Sequence, residues 1–378
     1  TEKPTEKPTE KPTEAPTEKP TEAPTEPPTE APSSSEAEPS TEAETPAETE
    51  PEPSTEPETP AETEAPTEPA PVTLQSLYQE LSSSIIQVVL ELPAGSDWFQ
   101  EPLTSRRDTF AVPIAESEEA LFLLADASFY EDGALFHVYL GNEILIMEPY
   151  CVDELSHLAV LRISKDLLKV ELSPLKIGYS TSLRAGSRVF LFGTLYGRFS
   201  AMDEGRITYV AAEESILDGY RQALYTNMYH TPDGAGILIN EDGELVGWMS
   251  NASSGSGSMA IAYGITSLAD TIDNLNQNKK APYFGVICRR FTAEETSGTD
   301  RVPGLYVQEV KIGSPAFAAG IQAGDRIVSI DQRTMTSNRT LQTRLNFYSP
   351  GTTVTVVIGR LINGAEEQMT LTLTLGER

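Results

Sequence analysis

Three histidines are the residues of this chain best suited to proton transfer, and two cysteines are its only thiols. A serine hydrolase needs an imidazole to activate its nucleophile, so His137, His157 and His230 are the candidates for that role. His137 lies in a strand-like run, and no serine stands in a suitable context beside His230. Cys151 and Cys288 are 137 residues apart with no CxxC pair, so neither a disulfide scaffold nor a zinc site is expected.

Two other kinds of chemistry lack support in the sequence. Serines are dense in SNASSGSGSM, residues 250–259, but a Gly/Ser-rich stretch between two strands is typical of a flexible connector. Neither GxxxxGK[ST] nor a strand-linked GxGxxG occurs, so nucleotide binding is not expected. The sequence therefore predicts no metal and no cofactor.

The most specific motif lies near the C-terminus and reads GSPAFAAGIQAGDRIVSID, residues 313–331. Its glycines Gly320 and Gly324 suit tight turns around a short helix, and Asp325 precedes a buried strand. With PGTTVTVVIGR further along, the run resembles a PDZ domain of the circularly permuted bacterial type. Such a domain binds an extended peptide at a sheet edge, usually a C-terminus, and holds its carboxylate with backbone amides.

The resemblance assigns the peptide site residue by residue. The carboxylate loop has the pattern x-Φ-Gly-Φ, where Φ is apolar: Tyr283, Phe284, Gly285 and Val286. Gly285 would let the backbone curl until its amides converge. The second wall is a predicted helix over 337–347, where Leu341 and Leu345 would line the pocket for the last side chain. Both leucines also fit a core position, and Leu341 is the better candidate for the groove.

The region before this module reads as a β-rich domain. SSSIIQVVLEL predicts a β-branched strand after a short helical turn, and further apolar runs of four to eight residues are separated by turn residues. ILINEDGELVGW predicts a hairpin that turns at Asp242-Gly243. Residues 267–280 form an amphipathic helix pattern, with one apolar face made by Leu268, Ile272 and Leu275.

This layout resembles the HtrA (DegP-like) trypsin-fold serine proteases. SHLAVLRI at 156–163 is similar to the family's T-D-L-A-V-L-K-I, and GILINEDGELVGW at 236–248 to its G-P-L-I-N-x-x-G-E-V-I-G-I. The resemblance implies a mainly β fold: a trypsin-like double six-stranded β-barrel followed by an α+β PDZ domain. The expected domains are a disordered stalk at 1–71, the trypsin-like domain at 72–280 and the PDZ domain at 281–378.

The positions that match the family's catalytic triad carry other residues. The family's histidine position holds Ser128 in LADASF, and its aspartate position holds His157. The nucleophile's position, within PDGAGIL, holds Gly234. Two residues earlier, where the family's backbone donates an N–H to the oxyanion, Pro232 has no N–H, a loss worth roughly 3 to 4 kcal/mol. The resemblance thus predicts a pseudoprotease.

Two other functions stay open. An active endopeptidase with a relocated or misaligned site is one, and Ser128 with His157 would be its conceivable dyad, although without an elbow or an oxyanion hole. A purely structural wall protein is the other, disfavoured because the PDZ loop and helix are intact. Relatives commonly trimerise through the barrel, so a homotrimer, or assembly with an active relative, is a further option without visible contacts in the sequence.

The acidic N-terminal segment explains half of the charge. Residues 1–71 hold 20 Glu against four Lys, giving −16 of the total of −30 and leaving −14 for the remainder. Its Thr-Glu-x-Pro period blocks helix and predicts an extended stalk that could reach on the order of 200 Å. The chain begins inside this repeat, so any anchor would lie upstream. The predicted location is the outer face of a bacterial, Gram-positive envelope, and acidic surfaces disfavour nucleic acid as a partner.

Overall fold

A computed structural model of the chain describes residues 72–96, 99, 102–196, 198–232, 234–250 and 259–377. The predicted stalk and most of the serine-rich stretch lie outside these ranges. In the described part the helices are α1 (Leu74–Leu81), α2 (Ile265–Asn276), α3 (Ala293–Thr296), α4 (Pro315–Ala318) and α5 (Asn338–Asn346), with 3₁₀ turns at Lys165–Leu167 and Ser180–Ser182. The mainly β prediction is confirmed, since strands make up most of these ranges.

The first β-rich half is an antiparallel sheet. Its strands, within the described ranges, are β1 (Ile86–Ser96), β2 (Pro102–Glu116), β3 (Ala120–Asp126), β4 (Leu135–Leu140), β5 (Glu143–Met147), β6 (Cys151–Asp153) and β7 (Leu158–Ser164). Their order is β5-β4-β1-β2-β3-β7-β6, which is seven strands where the family resemblance implied six. The difference arises because a two-residue turn at Gly141 and Asn142 lets Leu140 pair with Glu143, so that β5 folds back along β4.

The second β-rich half is a closed barrel. Its described strands are β8 (Arg188–Leu195), β9 (Arg198–Ile216), β10 (Gly219–Tyr229), β11 (Ala235–Ile239), β12 (Leu245–Met249) and β13 (Met259–Gly264). They close in the order β10-β13-β12-β11-β8-β9, the six strands expected. The predicted hairpin is confirmed as β11 and β12, with Gly243 at φ 74° in the turn. In the core between the two halves, the rings of Phe110 and Trp248 lie 4.7 Å apart.

Helix α2 follows the barrel and begins two residues earlier than predicted. Its Leu268, Ile272 and Leu275 are buried, as the apolar spacing indicated. It ends at Asn276 rather than at residue 280, because the chain leaves the helix through Asn278 in the left-handed region at φ 53°.

The C-terminal region is a second, smaller β structure with its own core. Its described strands are β14 (Pro282–Tyr283), β15 (Val286–Phe291), β16 (Gly304–Val310), β17 (Arg326–Ile330), β18 (Arg333–Thr334), β19 (Thr353–Ile362), β20 (Ala365–Thr374) and β21 (Gly376–Glu377). They form a sheet in the order β15-β16-β17-β19-β20, with β18 beside β17, and a small pair β14-β21. Strand β15 is therefore an edge strand of this sheet, and α5 packs beside it.

Both regions, as far as the structure describes them, belong to one compact unit. In the part of the chain that the structure describes, no helix is long and apolar enough to cross a membrane.

Candidate functional site

The loop that leads into β15 gathers backbone amides at one point. The N–H groups of Phe284, Gly285 and Val286 donate to the side-chain carboxylate of Asp218, over 2.9, 2.7 and 2.9 Å. These three residues belong to the predicted carboxylate loop. Asp218 comes from the turn between β9 and β10 and is buried. The loop therefore forms a carboxylate-binding nest, and in this structure a carboxylate of the same chain fills it.

Gly285 is the residue that this loop conformation requires. Its φ of 98° lies in a region that side chains rarely adopt, and an added Cβ would come within 2.1 Å of the Ser314 Cβ. The carbonyl oxygens of the loop accept hydrogen bonds on its other side. The backbone N–H of Lys311 donates to the Gly285 oxygen at 3.0 Å, and that of Ala316 donates to the Phe284 oxygen at 2.9 Å. With the carbonyls turned away, the amides are left facing the groove.

Helix α5 forms the other wall of the groove. Ser337 caps it in a capping box, since its hydroxyl accepts from the Thr340 N–H and the Thr340 hydroxyl accepts from the Ser337 N–H. Leu341 and Leu345 are buried in the core of the C-terminal region. Leu345 also borders a narrow space next to the β9–β10 turn. Their part in binding a last side chain stays a prediction.

The side chains of Tyr283, Cys288 and Cys151 have raised pKa values, the first two beside the loop and the third in the first β-rich half. Burial raises the pKa of the Tyr283 phenol, and the nearby Asp218 carboxylate raises it further. Burial and then Asp218 also raise the pKa of the Cys288 thiol well above its usual value. Cys151 is likewise free and buried, and burial raises the pKa of its thiol. Neither cysteine has the low pKa that a reactive thiolate needs.

The positions matching the family's histidine and aspartate are neighbours in the structure. Ala127 donates its N–H to the His157 carbonyl at 2.9 Å, where β3 and β7 pair. The Ser128 hydroxyl donates to the buried Asp126 carboxylate at 2.7 Å. Burial lowers the pKa of the His157 imidazole, and Arg221 lowers it further although Asp153 opposes this. His157 is therefore neutral near pH 7 and supplies no negative charge.

The position matching the nucleophile is crowded as well as lacking a side chain. A Cβ built on Gly234 would lie 3.0 Å from the Thr231 carbonyl oxygen and 3.1 Å from Nδ1 of His230. His230 is fully buried, with its Nδ1 2.5 Å from the Thr231 oxygen. Pro232 lies exposed in the same turn. A serine at position 234 would fit only if this turn shifted.

A cleft lies close to these positions. It has a volume of about 430 Å³ and lies between the two β-rich halves. Residues from both halves line it: Arg106, Arg107, Asp108, Phe129, Thr194, Tyr196 and Thr231. The Arg107 guanidinium lies 5.4 Å from the centre of the Phe129 ring. In the described ranges no group of histidine, cysteine and acidic side chains is arranged to hold a metal ion. The cleft is thus lined by charged and aromatic side chains, with two arginines and one aspartate among them.

Asp218 is the functional residue that sequence reasoning missed. The only local signal is the pair Asp218-Gly219 between two long alternating runs, which is typical of a hairpin turn. That signal can predict the turn, but it cannot predict which loop Asp218 contacts. The loop lies 66 to 68 residues further along the chain.

Comparison with known proteins gives matches for both regions. The family model described as "PDZ domain" matches residues 282–373. The chain is 27% identical over 295 residues to "Probable periplasmic serine endoprotease DegP-like" of Halomonas elongata, covering 75% of this chain and 59% of that protein. It is 30% identical over 209 residues to the protein of the same name from Hahella chejuensis, covering 53% and 43%. The chain thus spans about half the length of the curated relatives it matches.

Solved structures with the same fold cover most of the chain. The HtrA-type protease AlgW with a decapeptide superposes with a TM-score of 0.55 at 20% identity, over 81% of this chain and 99% of that one. The serine endoprotease from Yersinia pestis gives a TM-score of 0.54 at 19% identity, over 82% and 100%. These likenesses confirm the predicted fold class, a trypsin-like protease fold with a PDZ domain. The chain is thus similar in sequence to DegP-like serine endoproteases and shares its fold with solved HtrA-type proteases.

Proposed function

We propose that this chain binds peptides or protein C-termini in the groove between β15 and α5 and does not hydrolyse them. The observation that carries the proposal is the convergence of three backbone amides, from Phe284, Gly285 and Val286, on one carboxylate. Capture of a C-terminal carboxylate by such a nest, beside the edge strand of a sheet, is a known mode of peptide recognition. The decapeptide bound to the related AlgW gives further support.

The residues at the triad positions support the proposal that the chain does not hydrolyse the peptides it binds. Gly234 has no nucleophile, and the Ser128 hydroxyl cannot take a proton near pH 7 as an imidazole does. His157 is neutral where the family places a carboxylate that orients the base. Pro232 cannot donate to an oxyanion. A trypsin-like reaction therefore lacks its nucleophile, its base and one donor together.

The proposed setting is a bacterial cell envelope, where the chain would act as a scaffold or regulator in protein quality control. The relatives named above are periplasmic by their names. The acidic, Pro-rich N-terminal segment would act as a spacer between the two folded regions and a membrane.

Binding is tested with an array of decapeptides that carry free C-termini, each printed beside its C-terminally amidated form. The chain should bind a subset of the free peptides and lose that binding on amidation. Gly285→Trp should abolish the signals, because it fills the nest, whereas Gly298→Trp is a matched control at a positive φ with open space around it. Signals that survive Gly285→Trp would contradict the proposal.

Hydrolysis is tested with unfolded casein and a fluorophosphonate probe. We expect neither cleavage nor labelling of the purified chain. Labelling that Ser128→Ala removes would instead establish an active endopeptidase with a relocated site.

A further inference from the structure

The turn between β9 and β10 lies in the groove that the proposed function assigns to peptides. Leu217 forms an antiparallel bridge with Ile287 on the edge strand β15. The Asp218 N–H donates to the Val286 carbonyl at 2.8 Å, and the Asp218 side chain accepts from the three loop amides. A bound peptide C-terminus makes these same two kinds of contact, strand addition at the edge and a carboxylate in the nest.

The same hairpin is also fixed to the opposite wall of the groove. Near the start of α5, Asn338 donates its N–H to the Glu213 carboxylate at 2.9 Å and its side-chain amide to the Ser215 hydroxyl at 3.0 Å. One turn further along, the Gln342 side-chain oxygen accepts from the Tyr220 N–H at 3.2 Å. The hairpin therefore touches both walls, β15 on one side and α5 on the other.

The three loop amides are already used while the hairpin is present. The N–H groups of Phe284, Gly285 and Val286 all donate to the Asp218 carboxylate. A second carboxylate therefore cannot occupy the same position until Asp218 leaves it.

The backbone of the turn is adapted to this arrangement. Asp218 has φ 60°, in the left-handed region that glycine, asparagine and aspartate tolerate best. Glycine would satisfy the backbone equally well, but only a carboxylate satisfies the three amides. Gly219 follows, and a Cβ there would come within 2.8 Å of the Gln342 side-chain oxygen. The Asp218-Gly219 pair thus meets a steric requirement and a charge requirement at once.

We propose that the β9–β10 turn is an internal pseudo-ligand of the PDZ groove, with Asp218 in the place of a peptide's terminal carboxylate. The groove is closed in this state, and a peptide with a free C-terminus must displace Asp218 to bind. Displacement also breaks the contacts between the barrel and α5, so occupation of the groove is coupled to release of the PDZ region from the barrel. The ligand class rests on the proposed function, whereas the internal contact does not.

Competition of this kind has a quantitative consequence. If the groove is open in only a fraction of molecules, the apparent Kd for a peptide is the intrinsic Kd divided by that fraction. A variant without the competing carboxylate should therefore bind the same peptide more tightly than the wild-type chain does.

The test uses the full chain with Asp218→Asn, which retains a residue suited to the left-handed turn and removes the charge. The matched control is Asp242→Asn, an exposed aspartate that also precedes a glycine, in the turn between β11 and β12. The probe is the strongest free-carboxylate decapeptide from the array, labelled with fluorescein, with its amidated form alongside. We expect Asp218→Asn to lower the Kd at least about tenfold and Asp242→Asn to match wild type. An unchanged or higher Kd in Asp218→Asn overturns the inference.

Amide hydrogen exchange at Phe284, Gly285 and Val286 supplies a second readout that needs no peptide. Exchange should be at least about tenfold faster in Asp218→Asn than in wild type, because each amide loses its charged acceptor. Asp218→Gly, which suits the same backbone, should give the same result. Unchanged exchange with unchanged peptide affinity overturns the pseudo-ligand and leaves peptide binding intact. Faster exchange without any peptide binding supports the pseudo-ligand contact and overturns the proposed function.

Discussion

Gly285 determines the geometry of the carboxylate loop, and its surroundings leave no room for a side chain. Gly285→Ala should destabilise the chain for two reasons: a positive φ costs about 1–2 kcal/mol for an L-residue, and the contact with Ser314 adds a further ~1–3 kcal/mol. Urea unfolding measures the free energy. Gly298→Ala is the control, since Gly298 has φ 78° and nothing within 4 Å of the added Cβ. Equal losses in the two variants would show that Ser314 does not crowd the loop.

At the triad positions, restoring side chains alone should not restore a protease. The triple variant Ser128→His, His157→Asp and Gly234→Ser supplies the three groups, but Pro232 still removes one oxyanion donor. Adding Pro232→Gly should raise the rate of casein hydrolysis by ~10²–10³-fold over the triple variant. Fluorophosphonate labelling of the introduced serine should likewise be faster in the variant that also carries Pro232→Gly. Identical rates with and without Pro232 would mean that the missing donor is not a barrier to catalysis.

The role of a residue could be predicted from the sequence where the residue belongs to a local motif. The PDZ resemblance assigned the loop 283–286 through its x-Φ-Gly-Φ pattern, and in the structure the amides of residues 284–286 converge. Asp218 could not be predicted, because its role depends on which loop the barrel hairpin reaches, and nothing in the local sequence specifies that contact. The crowding at Gly234 could not be predicted from the sequence either, because it depends on the conformation of the Thr231 backbone and the His230 ring.

Among the strands, one ion pair crosses the sheet of the C-terminal region. Arg326 on β17 and Glu366 on β20 form two hydrogen bonds over β19, where Gly359 leaves space for the Glu366 side chain. Hydrogen bonding to Arg326 holds the pKa of the Glu366 carboxyl below its usual value. The side chains are only 13% and 18% exposed, so solvent screens this pair weakly.

Glu366→Gln should lower the free energy of unfolding by about 1–3 kcal/mol at pH 7. A carboxyl whose pKa is lowered by folding stabilises the chain above its unfolded pKa of about 4.3 and loses that contribution as the pH falls through the folded value. The difference between wild type and variant should therefore shrink below about pH 4. Urea unfolding between pH 3 and pH 7 checks this. The exposed pair Lys311 and Glu309 is the control, and Glu309→Gln should change stability little at any pH. A difference for Glu366→Gln that grows as the pH falls would contradict the account.

Elements with a strong local pattern could be predicted from the sequence, and pairing between distant elements could not. The capped helix α5 lies within the predicted range 337–347, and the Asp242-Gly243 hairpin forms as expected. The first sheet has seven strands where the family resemblance implied six, and its strand β5 pairs with β4 through a two-residue turn. The position of the β9–β10 hairpin against β15 and α5 depends on tertiary contacts alone.

In the whole molecule, the hairpin joins the trypsin-like region to the PDZ region through the proposed binding groove itself. The formal charge of −30 divides into −16 for residues 1–71 and −14 for the remainder, so the folded regions are only moderately acidic. The Asp218 carboxylate is one of these charges, and it is buried where a ligand's carboxylate would lie. Under the proposed function, the chain recognises C-termini and its barrel competes for the same amides.

The most direct test of binding without hydrolysis is one incubation followed by mass spectrometry. The chain is mixed with a pool of decapeptides that have free C-termini and with the amidated pool, and the bound and unbound fractions are separated by size exclusion. The account predicts that intact peptides with free carboxylates are retained, that amidated peptides are not, and that no cleaved product appears in either fraction. Retention that ignores the terminal carboxylate, or cleaved peptides in the presence of the chain, would contradict it.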